Sequence, residues 1–505
     1  MYRKTPVGQL AFEDFYLPFG GKLSGANRWV RLARIIPWDL AESFYAEQFS
    51  QNPQGPSAKS ARLALGALII KERLGISDEE AVEQIRENPY LQYFLGFHEF
   101  LDQAPFDPSM YVHFRKRFSL EQLGQINEAI VKAEQAESVA ESAPESDNDD
   151  DGNGNTPSGG NLGKLLIDAT CAPADIRYPT DISLINEARE KSEQIIDTLF
   201  EPLKGSCPKP RTYRQKARRL FVAHTKTRKR STRQRRKALG QQLRFLGRNL
   251  KTIDRLAQQT PLTRLDRRQY RNLLVIQELY RQQQWMFDNR CHRISGRIVS
   301  ISQPHIRPIV RGKASAPVEF GAKLSASVVD GAVFLDRLDW DPYNESGDLV
   351  AQVKAYKQRF GYYPASVHCD TIYRTRDNRQ FCKKHNIRMA GPPLGRPPKQ
   401  TAENSQELRA RKLQRRQDEI DRIPIEGKFG QGKRRFSLDR IMAKLPKTSE
   451  TVMATIFIVM NLERWLKKLF FALFFCCWAE RKPLLSVHWR DIALRRQGIL
   501  LDGVS

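Results

Sequence analysis

Leu165-Leu166-Ile167-Asp168 is an apolar run closed by a carboxylate, and Ser366-Val367-His368-Cys369-Asp370 repeats the pattern further along the chain. A short apolar run of this kind predicts a buried strand. In an open α/β sheet, ligands gather at the carboxyl ends of the strands, where both Asp168 and Asp370 stand. A third acid, Glu426, lies in Arg422-Ile-Pro-Ile-Glu426-Gly-Lys-Phe-Gly-Gln-Gly-Lys433, an R-x3-E-x6-K spacing. Three converging carboxylates are hard oxygen ligands suited to Mg²⁺, and a pair of such ions clamps the attacking and leaving oxygens of a phosphoryl transfer. A lone Asp at a strand end is more often a cap or turn residue. Asp175, Asp181, Asp336, Asp339 and Asp341 compete for the role on that ground.

Between the first two acids the period changes to helical. Leu184, Ala188, Ile195, Leu199 and Leu203 form one stripe, Leu239, Leu243, Leu246, Leu250 and Ile253 a second, and Leu273, Leu274, Ile276, Leu279 and Tyr280 a third. Residues 182–295 are therefore expected to form a helical insertion after the first strand. Its stretch from Lys209 to Ile253 holds 17 Lys and Arg and no acid. A solvated helix face usually alternates charge sign, so this composition points to nucleic acid. Arg228, Lys229, Arg230, Arg235 and Arg236 are the candidate DNA contacts there.

After Pro317 an alternating pattern gives a strand, an Asp330-Gly331 turn and a returning strand. A helix over 348–359, the strand ending in Asp370, a helix over 378–385 and a strand over 387–390 follow. A helical tail is expected from Glu403 to about Arg490. The order predicts an α/β catalytic core over 164–181 and 296–445, with 446–505 as a C-terminal helical and apolar segment. Residues 1–133 read as an all-α N-terminal domain. Ser60–Arg73 forms one helix, Gly75 stops it, Ser77 and Glu80 begin the next, and Asp107-Pro108 precedes a short helix carrying Arg115, Lys116 and Arg117. That array fits either a helix-turn-helix-like reader or a packing bundle. Residues 134–163 are acidic, then rich in Gly, Asn and Ser, and read as a disordered linker.

The chain has 505 residues, a formal net charge of +26 and 40% hydrophobic residues. Cores are affordable and wholesale disorder is excluded; the charge points to a polyanionic partner. The seven cysteines form no C-x-x-C pair and read as free thiols of a reducing cytoplasm. No signal peptide is recognised at the N-terminus. The apolar run Leu469–Ala479 is too short to span a bilayer and is fenced by charges, so no membrane partner is expected.

With Leu166-Ile-Asp168-Ala-Thr, Phe320-Gly-Ala-Lys323-Leu, Cys369-Asp370-Thr-Ile-Tyr373, Arg376-Asp-Asn378-Arg379, Gly395-Arg396-Pro397 and the Arg422, Glu426, Lys433 run in view, the chain resembles a DDE transposase of bacterial insertion sequences, of the insertion-sequence-five-like branch. Gly8-Gln-Leu-Ala-Phe12 and Asn88–Gly96 add to the likeness. Glu419 stands where the family pattern has a Tyr.

The resemblance implies a ribonuclease H-like catalytic domain whose Asp168, Asp370 and Glu426 bind two Mg²⁺ or Mn²⁺ ions. It implies Arg422, Lys433 and the neighbouring Arg434 on DNA phosphates. The expected partners are the terminal inverted repeats and target DNA, with a homodimer or larger assembly on them, in a bacterial cytoplasm at the nucleoid. The rival classes are a metal-dependent nuclease or resolvase and a non-catalytic DNA-binding protein of the same architecture. Of the other chemistry-bearing residues, His368 is read as a strand residue facing away from the acids. Trp285 and Trp340 are read as core rather than base-stacking platforms, and Cys171 and Cys369 as small buried residues.

Overall fold

The structure is a computed structural model that describes residues 11–18, 20–49, 57–142, 160–310, 317–392, 395, 398, 401 and 404–470. The chain divides into two compact units. One comprises Met1–Gly159, Val328–Phe334 and Ala454–Ser505; the other comprises Gly160–Ser327 and Leu335–Met453.

The first unit begins with seven helices: α1 Arg28–Ile35, α2 Trp38–Ala46, α3 Ala61–Leu74, α4 Asp78–Glu87, α5 Pro89–Phe94, α6 Met110–Arg117 and α7 Leu120–Ser142. Their ends follow from local chemistry. Ser60 and Ser77 cap α3 and α4 by accepting the amides of Leu63 and Glu80, and Gly75 ends α3 in the left-handed region. Leu65, Leu68 and Ile69 of α3 are buried, as are Trp29, Tyr45, Phe94 and Phe114 on the neighbouring helices. The basic triplet of α6 is largely consumed by packing. Arg115 donates to Asp78 on α4, the Arg117 guanidinium lies 3.7 Å over the Phe49 ring, and Lys116 alone of the three is exposed. This geometry favours the packing reading of α6 over a DNA-reading one.

The second unit is built on β1 Lys164–Pro173, followed by four helices: α8 Asp181–Phe200, α9 Arg214–Lys226, α10 Thr232–Ala257 and α11 Arg267–Asp288. The expected stripes pack together here, except Leu274, which is exposed on α11. Ile196 and Leu199 of α8, Leu246 and Ile253 of α10 and Ile276 and Leu279 of α11 share one buried cluster. Then come β2 Arg307–Val310, β3 Val318–Val329, β4 Ala332–Asp339, α12 Leu349–Phe360, β5 Ser366–His368, α13 Arg376–Lys384, β6 Arg388–Met389 and α14 Ser405–Arg435. Among the described residues six strands form one mixed sheet in the order β2-β3-β1-β5-β6, with β4 paired to β3. β5 is parallel to both β1 and β6, while β2 and β3 are antiparallel. Asp330 and Gly331 both take positive φ at the β3–β4 turn, as the Asp-Gly signal requires.

Three sequence expectations need correction. Residues 134–142, expected to open a disordered linker, instead continue α7 to Ser142, and Glu134 is buried. The helical tail is not continuous: α14 ends at Arg435, and residues 436–445 leave the helix before α15 spans 446–470. The break is held by burial, because Phe436, Leu438 and Ile441 insert into the core and Ile441 bridges to Ala174 beyond β1. Trp285 is not core; it is 45% exposed on α11, while Trp340 is half-buried and donates to Glu450. Strand β2 was not anticipated. Most of the run Leu469–Ala479, most of the linker, Gly8 to Leu10, and Arg396 and Pro397 lie outside the described residues. No helix among the described residues is long and apolar enough to cross a membrane.

β3 must approach β1 closely to complete this sheet, and Gly321 makes that possible. A Cβ at Gly321 would sit 2.0 Å from the Ala172 carbonyl oxygen. Gly321→Ala is expected to destabilise the chain by about 1–3 kcal/mol through overpacking. The readout is a lower urea midpoint, and an unchanged midpoint would contradict the tight β1–β3 pairing.

Candidate active site

The parallel β1–β5 pairing aligns Leu165 with Val367 and Leu166 with His368. Two residues further on each chain stand Asp168 and Asp370, so one register places both acids at the same edge of the sheet. Asp168 accepts the amide of Ala169 at 2.8 Å. Asp370 accepts the amide of Thr371 at 2.7 Å, capping a short 3-10 turn, Thr371–Tyr373.

The third acid arrives on α14, which packs against β1 and β5. Arg422 holds the group together. Its Nη1 lies 3.5 Å from Asp370 Oδ1 and its Nη2 lies 2.9 Å from Glu426 Oε1. Both carboxylates are more than half exposed, so this pairing is screened and is worth little to stability. Its consequence is positional: it sets Glu426 and Asp370 on either side of one cation.

Asp168 is the most buried of the three acids. Burial pushes its carboxyl up to about 6, and the charges of Glu345 and Asp370 push in the same direction against Arg422 and the Ala169 amide. A raised folded-state value means that stability falls as pH rises from about 4 to about 6.

The site contains residues that the sequence reading passed over. Glu345, in the 3-10 turn Glu345–Gly347, acts on Asp168 by charge and pairs with Lys323 of β3 at 2.8 Å. Asn378 fixes that turn by donating to Ser346 O and also to Tyr373 O. Lys323 and Asn378 belong to quoted motifs, but nothing in the spacing of Glu345 marks it.

A second acidic group, His368, Asp418 and Asp421, has potential ligand atoms within 4.8 Å of one another. Cations of the chain already occupy it. Arg388 holds both oxygens of Asp418 at 3.0 and 2.9 Å, and Lys164 lies 2.7 Å from Asp421. Hydrogen bonds and charges from these partners hold both carboxyls below the usual range against their burial. His368 is buried, faces Ser366 Oγ at 3.0 Å, and burial lowers its affinity for protons. We read this group as a structural brace between α14 and the sheet. The three-acid edge draws hard oxygen donors from three elements, and Arg422 pairs with two of them, Asp370 and Glu426.

Cys171 and Cys369 are buried, and burial pushes the Cys369 thiol up to about 12, so it is no nucleophile at neutral pH. Beside Asp370 a cavity of about 280 Å³ is lined by three guanidiniums, Arg374, Arg415 and Arg422, and by three carboxylates, Asp370, Asp418 and Glu419. Lys433 is half-buried and Arg434 exposed, further along α14.

Arg228 and Lys229, in the loop between α9 and α10, and Arg235 on α10 are exposed. Arg230 is tied to the Thr225 and Thr227 carbonyls, and Arg236 to Phe287 O at 2.8 Å.

The model of a transposase DDE domain matches residues 367–463, which include Asp370, α14 and Glu426. A second model, of a transposase domain, matches residues 19–117. The chain belongs to the DDE transposases of insertion sequences. A relative of this transposase is an uncharacterised protein, ORF8 in the nfe locus of Rhizobium meliloti, 34% identical over 159 residues. The match covers 32% of the transposase and 68% of that protein. No solved structure matches the transposase.

Replacing Asp168 by Asn removes the cost of a buried charge. In metal-free buffer the variant is expected to be more stable than wild type by up to about 3 kcal/mol above pH 6, the equivalent of a carboxyl raised from 3.8 to about 6. The advantage shrinks to nothing below about pH 4. Denaturation at both pH values checks this, and a variant that loses stability at pH 7 would contradict the raised value.

Proposed function

We propose that this transposase binds the ends of its insertion sequence, cuts one strand there and joins the released 3′-hydroxyl to target DNA, on a ribonuclease H-like catalytic domain that carries α8–α11 as an insertion. One observation carries the reading: the β1–β5 register sets Asp168 beside Asp370, and α14 brings Glu426 to the same edge. Asp168, Asp370 and Glu426 would hold Mg²⁺ or Mn²⁺, two ions by the resemblance. Bound there, such ions activate the attacking oxygen and stabilise the leaving one.

The chain's own groups do the rest. Asp168, Asp370 and Glu426 place negative charge where cations are needed, and Arg422 neutralises part of it until DNA enters. When a phosphate replaces the carboxylates as its partner, Arg422 is placed to grip it, with Lys433 and Arg434 further along the helix. Hydrolysis breaks one phosphodiester and leaves a 3′-hydroxyl on the element; the joining step makes one phosphodiester to target DNA and breaks another. Both are in-line displacements, and positioning with charge neutralisation is the whole protein task.

Arg228, Lys229, Arg230, Arg235 and Arg236 would hold the duplex. Pairing two element ends calls for a dimer or larger assembly on DNA, at the nucleoid of a bacterial cell.

The test uses purified protein and a labelled duplex carrying the element's end. Wild type is expected to nick and join it with Mg²⁺ and not with chelator. Asp370→Asn and Glu426→Gln are expected to lose about a hundredfold or more in rate, with DNA binding retained. An Asp370→Asn protein that still cuts and joins would overturn the site assignment.

A further inference from the structure

Away from the three acids, the helices after β1 enclose a cavity of about 920 Å³. It lies within one unit and is built from the start of α8, the start of α10 and the end of α11. Its lining carries six guanidiniums, those of Arg230, Arg233, Arg235, Arg236, Arg290 and Arg297. Asp181 is the one carboxylate among its described lining residues, and it is already satisfied by Arg297 at 2.6 Å and Gln283 at 3.0 Å.

The side chains of Arg233, Arg235 and Arg290 are exposed and make no ion pair or hydrogen bond among the described residues. Their charges stand together without an internal counter-ion. The field is felt locally: burial, Arg230 and Arg235 all hold His224 below its ordinary range.

Two further features distinguish this cavity from a merely basic surface. The N-termini of two long helices face it, through Thr180 and Asp181 of α8 and Thr232 and Arg233 of α10, and helix N-termini favour anions. It also has an apolar floor. Leu239, Met286 and Phe287 line it, with Leu239 and Phe287 packed against the helical core, and the Arg236 guanidinium lies 4.1 Å over the Phe287 ring. Cations around an apolar floor suit a ligand that is part phosphate and part ring. The volume is at the upper end of ordinary small-molecule sites.

We infer that this cavity seats a nucleotide of a DNA strand that has left the duplex, with its phosphate among Arg233, Arg235 and Arg290 and its base or sugar on the Leu239, Met286 and Phe287 floor. The choice of DNA rests on the transposase reading; the nucleotide chemistry rests on the cavity alone.

The test measures fluorescence anisotropy of the full chain with a labelled blunt duplex and with the same duplex carrying a single-stranded extension. Wild type is expected to bind the extended duplex about tenfold tighter, the value of one seated base. Thr232→Trp puts bulk into the lining of the cavity without removing charge and is expected to abolish the preference, leaving blunt-duplex affinity within about threefold. The double variant Arg233→Ala and Arg290→Ala is expected to weaken the extended duplex more than the blunt one.

Absence of any preference in wild type overturns the inference. So does a Thr232→Trp protein that keeps the preference, or a charge variant that weakens both duplexes equally, since each describes a diffuse basic surface. A deoxynucleoside monophosphate that binds wild type but not Thr232→Trp, with no preference for the extended duplex, places a free nucleotide there and overturns the DNA assignment. A protein that keeps the preference but cuts no DNA with Mg²⁺ sinks the cleavage reading and supports this one.

Discussion

The site depends on the register of two parallel strands. β1 and β5 lie side by side with Leu166 opposite His368, and that pairing alone brings together acids far apart in sequence. A slip of one residue would turn one of the two carboxylates to the opposite face of the sheet. The register is braced from both sides. Gly321 lets β3 close on β1, and α14 is pinned to the other flank through Arg388–Asp418 and Lys164–Asp421. The acidic group that looks most like a metal site by proximity is part of this brace.

Burying a carboxylate at this edge is unfavourable, and the raised value of Asp168 records that cost first, with the charges of Glu345 and Asp370 adding to it. Arg422 offsets part of it by lying between Asp370 and Glu426. The same guanidinium that tolerates the cluster without DNA is in place to meet a phosphate with it. The excess positive charge is segregated elsewhere, on α9, α10 and the segments beside them, where the stretch from Lys209 to Ile253 holds 17 Lys and Arg and no acid.

Much of this was legible because the deciding signals are local. Asp330-Gly331 announces its turn because both residues take positive φ. Ser60, Ser77 and Gly75 mark helix ends through bonds made within one turn. The stripes of α8, α10 and α11 are periodic because one face of each is buried. Asp168 and Asp370 stood out because each closes an apolar run. What escaped was set by distant partners. Arg115 reads as surface charge until Asp78 appears beside it, and Glu345 reads as a loop acid until Lys323 and Asp168 are seen to face it. The break after Arg435 was hidden because Phe436, Leu438 and Ile441 are buried by tertiary contacts rather than by helical period. Trp285 follows a helical pattern yet lies on the outer face of α11.

The central claim is that divalent metal binds at the sheet edge between Asp168, Asp370 and Glu426. The direct measurement replaces Mg²⁺ with Fe²⁺ in the full chain and maps backbone cuts made by locally generated hydroxyl radicals. The expected result is cutting beside Asp168, Asp370 and Glu426, suppressed by excess Mg²⁺ and lost in Glu426→Gln. Cuts centred instead on Asp418 and Asp421, unaffected by Glu426→Gln, would contradict the account.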